Sequence, residues 1–134
     1  MRRAAAALAL ALCLVGCDWM AIGERVELLT GDPLAGGSGE GACYTNWTTG
    51  LLVVDAKYGT AIVIESFPGD PEGGATIPVM WRPGYTGRRS GSEVVVLDPA
   101  GSVVATTGNK YKLEGGGWYK DPQPFFACGF VIQQ

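Results

Sequence analysis

Four cysteines, a cluster of arginines between residues 81 and 92, and no histidine are the features of this 134-residue chain that bear most directly on chemistry. Without histidine there is no Ser-His-Asp triad, no imidazole metal ligand and no imidazole acid or base. Neither G-x-S-x-G nor G-x-x-x-x-G-K-[ST] occurs. Glu65, Glu93 and Asp55 are available as carboxylate acids or bases, but no local spacing pairs any two of them. Asp70, Glu72 and Asp98 lie in turn-like stretches without the spacing of a calcium loop, and turn chemistry explains them better. The residue inventory therefore predicts a protein that is not an enzyme, with no cofactor, no metal site and no catalytic set. What remains is recognition. Arg82, Arg88 and Arg89 are interleaved with Trp81 and Tyr85, a combination that offers guanidinium forks for carboxylate or phosphate and aromatic faces for stacking. Against that stands the reading of an exposed loop whose arginines pair with Glu93 and other surface acids.

The cysteines divide by position. Arg2 and Arg3 precede an uncharged apolar run from Ala4 to Val15, too short to cross a bilayer as a helix but suited to a signal-peptide core. The run closes on Leu14-Val15-Gly16-Cys17, which resembles the lipobox of bacterial lipoproteins. That resemblance implies diacylglyceryl transfer to the Cys17 sulfur, cleavage before Cys17 by signal peptidase II, and an anchored protein of the cell envelope. Several acyl chains satisfy the rule that stable anchoring takes more than one lipid. Removing 16 of the 134 residues leaves 118, and loss of Arg2 and Arg3 turns 10 basic and 13 acidic side chains into 8 and 13, a net of −5. That sign argues against a nucleic-acid partner and against purely electrostatic attachment to anionic lipid. The expected partners are the membrane, through Cys17, and an envelope protein or an anionic ligand.

Cys13 leaves with the signal and Cys17 is consumed by lipid. Cys43 and Cys128 remain as an even pair in an exported, oxidising compartment, and are expected to form a disulfide. Closing a loop of about 85 residues corresponds to roughly 4–5 kcal/mol in a chain-entropy treatment. A reactive or metal-binding thiol pair is the alternative, without C-x-x-C spacing to support it. Residues 17–42 read as a lipidated cysteine and flexible tether, rich in glycine from Ala35 to Ala42. Within it Glu24-Arg25-Val26-Glu27-Leu28-Leu29 suits a short strand or a helical turn. Gly37-Ser38-Gly39-Glu40-Gly41-Ala42 spells a dinucleotide fingerprint, but no strand precedes it and no periodic helix follows.

Residues 43–134 form the domain, and its pattern is all-β. Short β-branched runs alternate with turn clusters, and no window sustains helical periodicity. Leu51–Val54 and Thr60–Glu65 suggest a first hairpin, and residues 75–81 a third strand at an edge because of Pro78. Residues 93–97 and 102–107 flank Asp98-Pro99-Ala100-Gly101, whose residues suit a type I turn and a bulged hairpin. Residues 111–113 and 125–132 complete five to six strands, with 114–117 and 82–92 as loops. The order of hairpin, third strand, irregular connection and second hairpin resembles the OB-fold, implying a small, partly open antiparallel barrel. One departure is the Gly, Pro and Arg content of residues 82–92, where that fold commonly has a helix. The text of residues 81–108 is similar to small bacterial lipoproteins and brings no activity with it.

The function expected from these readings is a membrane-anchored, non-enzymatic ligand- or protein-binding β-domain. The alternatives are a structural or assembly lipoprotein without a ligand pocket, or a small hydrolase or hydrolase inhibitor. Trp47, Trp118 and Tyr119 could widen an aromatic surface, though isolated aromatics more often cap a core.

Overall fold

A computed structural model describes residues 23–31, 46–66, 73–117 and 123–134. Every regular element among them is a strand: β1 (Arg25–Val26), β2 (Asn46–Asp55), β3 (Gly59–Ser66), β4 (Thr76–Trp81), β5 (Thr86–Ser90), β6 (Glu93–Leu97), β7 (Val103–Thr106), β8 (Lys110–Gly117) and β9 (Phe125–Gln133). Five of them close into a barrel in the order β2-β3-β4-β9-β8, and the other four form a sheet in the order β1-β5-β6-β7.

The barrel begins from local signals. In β2, Thr48, Gly50 and Leu52 are buried while Trp47, Thr49, Leu51 and Val53 are only partly so, the period-2 pattern of a strand with one face inward. Asp55 then turns the chain, its carboxylate accepting the Lys57 and Tyr58 amides at 2.9 and 2.7 Å. β3 returns antiparallel, with Leu52 opposite Ile62. Pro78 sits opposite Ala61 of β3, while the parallel pairing of β4 with β9 starts one residue later, at Val79. The proline is thus tolerated inside a closed barrel because its missing donor falls where the second ladder has not begun.

Counted in chain order, the barrel strands run first, second, third, fifth, fourth, with third and fifth parallel. This is an OB-like Greek-key arrangement. Two expectations are corrected. The barrel is closed by pairing of β8 with β2 rather than partly open. The hairpin at residues 93–107 does not supply its last two strands; those are β8 and β9, and the hairpin belongs to the second sheet. β8 also runs through residues 114–117, read from sequence as a loop. The glycines there reflect close packing, since a Cβ on Gly115 would collide with the Phe126 carbonyl of β9.

The β5-β6-β7 meander occupies the connection where an OB barrel commonly carries a helix. Its β6–β7 turn forms as the residues dictate: Asp98 accepts the Ala100 and Ser102 amides, both at 2.9 Å, and Gly101 takes φ +85°. Val96 and Ala105 of this sheet join Leu52, Ile62, Ile64, Val79, Trp81, Leu113 and Phe125 of the barrel in one buried cluster. The sheet therefore seals the barrel with its apolar face. Tyr111 adds a polar tie, its buried hydroxyl accepting the Thr106 amide at 2.8 Å.

Residues 23–31 are part of this structure, a correction to the tether expected across residues 17–42. β1 pairs with β5, and beyond it Leu29 and Gly31 bond the Trp81 backbone. Leu29 also packs on Met80, Phe126 and Cys128. The segment is held because Val26, Leu28 and Leu29 gain apolar contact that a glycine-rich spacer cannot.

Candidate functional site

The cluster expected at residues 81–92 is taken apart by the fold. Trp81 is fully buried, and its indole Nε1 donates to Thr60 Oγ1 at 2.9 Å. Tyr85 is half-buried and stacks on Trp81, centroids 6.0 Å apart at 16°. These two aromatics hold the barrel to the meander and present no ring pair to a ligand. Arg82 is exposed in the turn before β5. Arg88 and Arg89 are consecutive residues of β5, so alternation sends their side chains to opposite faces of the sheet. The stretch is a turn and a strand, not a single loop, and the three guanidiniums share no face.

The register brings a different neighbour to Arg88. Arg25 of β1 lies directly opposite it, and Val95 of β6 on its other side, so both arginines and the valine share one face. Two like charges placed directly across a strand pair are destabilising. Neither arginine is relieved: Arg25, Arg82, Arg88 and Arg89 make no ion pair or side-chain hydrogen bond among the described residues. Glu93, the acid that the sequence names as a partner, is engaged elsewhere. Glu93 accepts the Thr107 hydroxyl, and Asp98 accepts the amides of its own turn. Arg25 was missed from sequence because it lies more than sixty residues from Arg88, and no local pattern reports that register.

Elsewhere the charges and aromatics are used. On the barrel, Lys110 pairs with Glu65, and the Lys112 ammonium lies 5.1 Å from the Trp47 ring centroid. Cys128 is buried; Cys43 and Cys17 lie outside the described residues, as do Trp118, Tyr119, Asp70 and Glu72. Among the described residues no group of three or more acids and cysteines is placed to hold a metal ion, and no helix is long and apolar enough to cross a membrane. Chemically, what the surface offers is guanidinium without counter-charge, able to take phosphate or carboxylate oxygens in forked hydrogen bonds. Comparison with protein-family models, curated proteins and solved structures finds no match to the chain.

Proposed function

We propose that the protein is a lipid-anchored component of the bacterial envelope whose β-domain binds anionic groups and performs no catalysis. The anchor is supported by the order Arg2-Arg3, apolar run, Leu14-Val15-Gly16-Cys17. Binding rests on one observation: Arg25 and Arg88 stand side by side on the four-stranded sheet with no acidic partner among the described residues. Such a pair costs stability unless an anion relieves it, which is the signature of a surface shaped for a ligand rather than for folding. A Cys43–Cys128 disulfide is proposed with it, joining the segment ahead of β2 to the last strand. One observation favours the structural alternative: Val103, 60% exposed, lies on β7, the strand at the outer edge of that sheet.

Substituting serine for Cys17 tests the anchor, because an alcohol does not replace the thiol in lipid transfer. The Cys17→Ser protein should lose acyl labelling and leave the detergent phase. Retention in the detergent phase at mature size would refute the lipoprotein reading.

A further inference from the structure

The proposed anchor and the first residue of the described structure are very close in sequence. Five residues separate Cys17 from Gly23, a span of at most about 20 Å even when fully extended. Gly23 is fixed in place, its amide donating to the Arg89 carbonyl at 2.7 Å. Arg89 is next to last in β5, beside the β5–β6 turn at Gly91 and Ser92. The opposite end of the meander carries the turn at residues 98–101, and the turn bearing Arg82 lies with it, since Gly84 approaches Pro99. A lipid on Cys17 therefore reaches the domain at one particular end of one sheet.

We infer that this end of the sheet docks on phospholipid headgroups, with Arg25, Arg88 and Arg89 as the phosphate contacts. The inference rests on the anchored reading above and names the anionic partner of the same surface. Arginines on opposite faces cannot converge on a small ligand, but a plane of phosphates met end-on touches both faces of a sheet at once. Arg89 lies at this end with exposed Glu24 and with Glu93, whose carboxylate accepts the Thr107 hydroxyl, while Arg88 and the Arg25 opposite it stand at the middle of β5, one residue further from the turn. Glu27 lies further from the turn, its carbonyl against Gly59 of the barrel. Of the intervening residues Asp18 is acidic, and Trp19, Met20, Ala21 and Ile22 are apolar, with a tryptophan of the kind that prefers the membrane interface. The net charge of the mature chain opposes free association with anionic lipid. A covalent lipid removes that obstacle by supplying the local concentration, so the arginines need only select an orientation.

The test uses full-length acylated protein reconstituted into vesicles of equal parts phosphatidylcholine and phosphatidylglycerol carrying a headgroup energy acceptor. A donor dye is placed at Ser92→Cys or at Ser102→Cys, exposed positions at the two ends of the meander. Energy transfer should be stronger from position 92 than from 102. Arg25→Glu with Arg88→Glu should lower the docked-to-undocked ratio about 25-fold or more and erase the difference, at about fivefold per arginine lost. Arg25→Gln with Arg88→Gln should do so more weakly, and Arg82→Glu, at the far end, should leave the difference in place. Equal transfer from the two positions, or a difference that survives reversal of Arg25 and Arg88, overturns the inference. Flotation with the vesicles separates the two claims: protein that floats with equal transfer sinks the docking alone, whereas protein that does not float sinks the anchor.

Discussion

On the barrel, Lys110 pairs with Glu65 and Lys112 lies over Trp47, so both lysines of β8 are occupied; on the four-stranded sheet, Arg25 faces Arg88 and neither has an acidic partner among the described residues. The same contrast holds for edges. The barrel closes on itself and has none, while the sheet ends on β1 at one side and β7 at the other. Among the described residues, the barrel thus gives partners to both of its β8 lysines and leaves no sheet edge. The sheet gives one face to the core and leaves arginines without an acidic partner among the described residues on the remainder, which is why the proposed binding is placed there.

If that division is right, substitutions in the barrel should act on stability and substitutions on the sheet's arginines on binding. The largest effect is expected at Trp81, which fills the barrel, donates to Thr60 and carries Tyr85. Trp81→Ala should cost about 3–5 kcal/mol in denaturant unfolding. A loss below about 1 kcal/mol would show that the barrel core does not depend on it. Next is the disulfide. Cys43→Ala removes the proposed partner of Cys128 and should cost about 2–5 kcal/mol. Intact-mass analysis before and after reduction and alkylation counts thiols in exported protein, and two free thiols would refute the pairing. The smallest effect belongs to the sheet. Arg25→Gln with Arg88→Gln should change stability by no more than about 0.5 kcal/mol, and toward greater stability, because it removes a like-charge pair. A clear loss of stability in a thermal melt would mean that the arginines hold the sheet together, and the contrast between the two regions would fail.

Legibility in the sequence follows the range of the interactions. The β6–β7 hairpin was readable because Asp98, Pro99 and Gly101 each occupy a position that the local turn requires, and the structure uses them that way. β5 was not, because Thr86-Gly87-Arg88-Arg89-Ser90 has no apolar alternation of its own; it is a strand because valine-rich β6 pairs along its whole length. The glycines ending β8 read as a loop for a similar reason, since only the approach of β9 explains them. Closure of the barrel depends on the parallel β4–β9 and antiparallel β2–β8 pairings, which span long stretches of chain and leave no local mark. The site suffered most. Sequence proximity grouped Trp81, Arg82, Tyr85, Arg88 and Arg89, whereas the fold buries the first, stacks the third on it, divides the last two between faces, and supplies Arg25 from the segment read as tether.

The claim on which the rest depends is that the mature chain begins at a lipid-modified Cys17, six residues ahead of the folded domain. Trypsin cleaves after Arg25, so the N-terminal peptide of membrane-extracted protein reports on it directly. Mass spectrometry should find a peptide from Cys17 to Arg25 carrying the mass of a diacylglyceryl group, with or without a further acyl chain on the amino group. A peptide that starts at another residue, or one that starts at Cys17 with an unmodified thiol, would contradict the account.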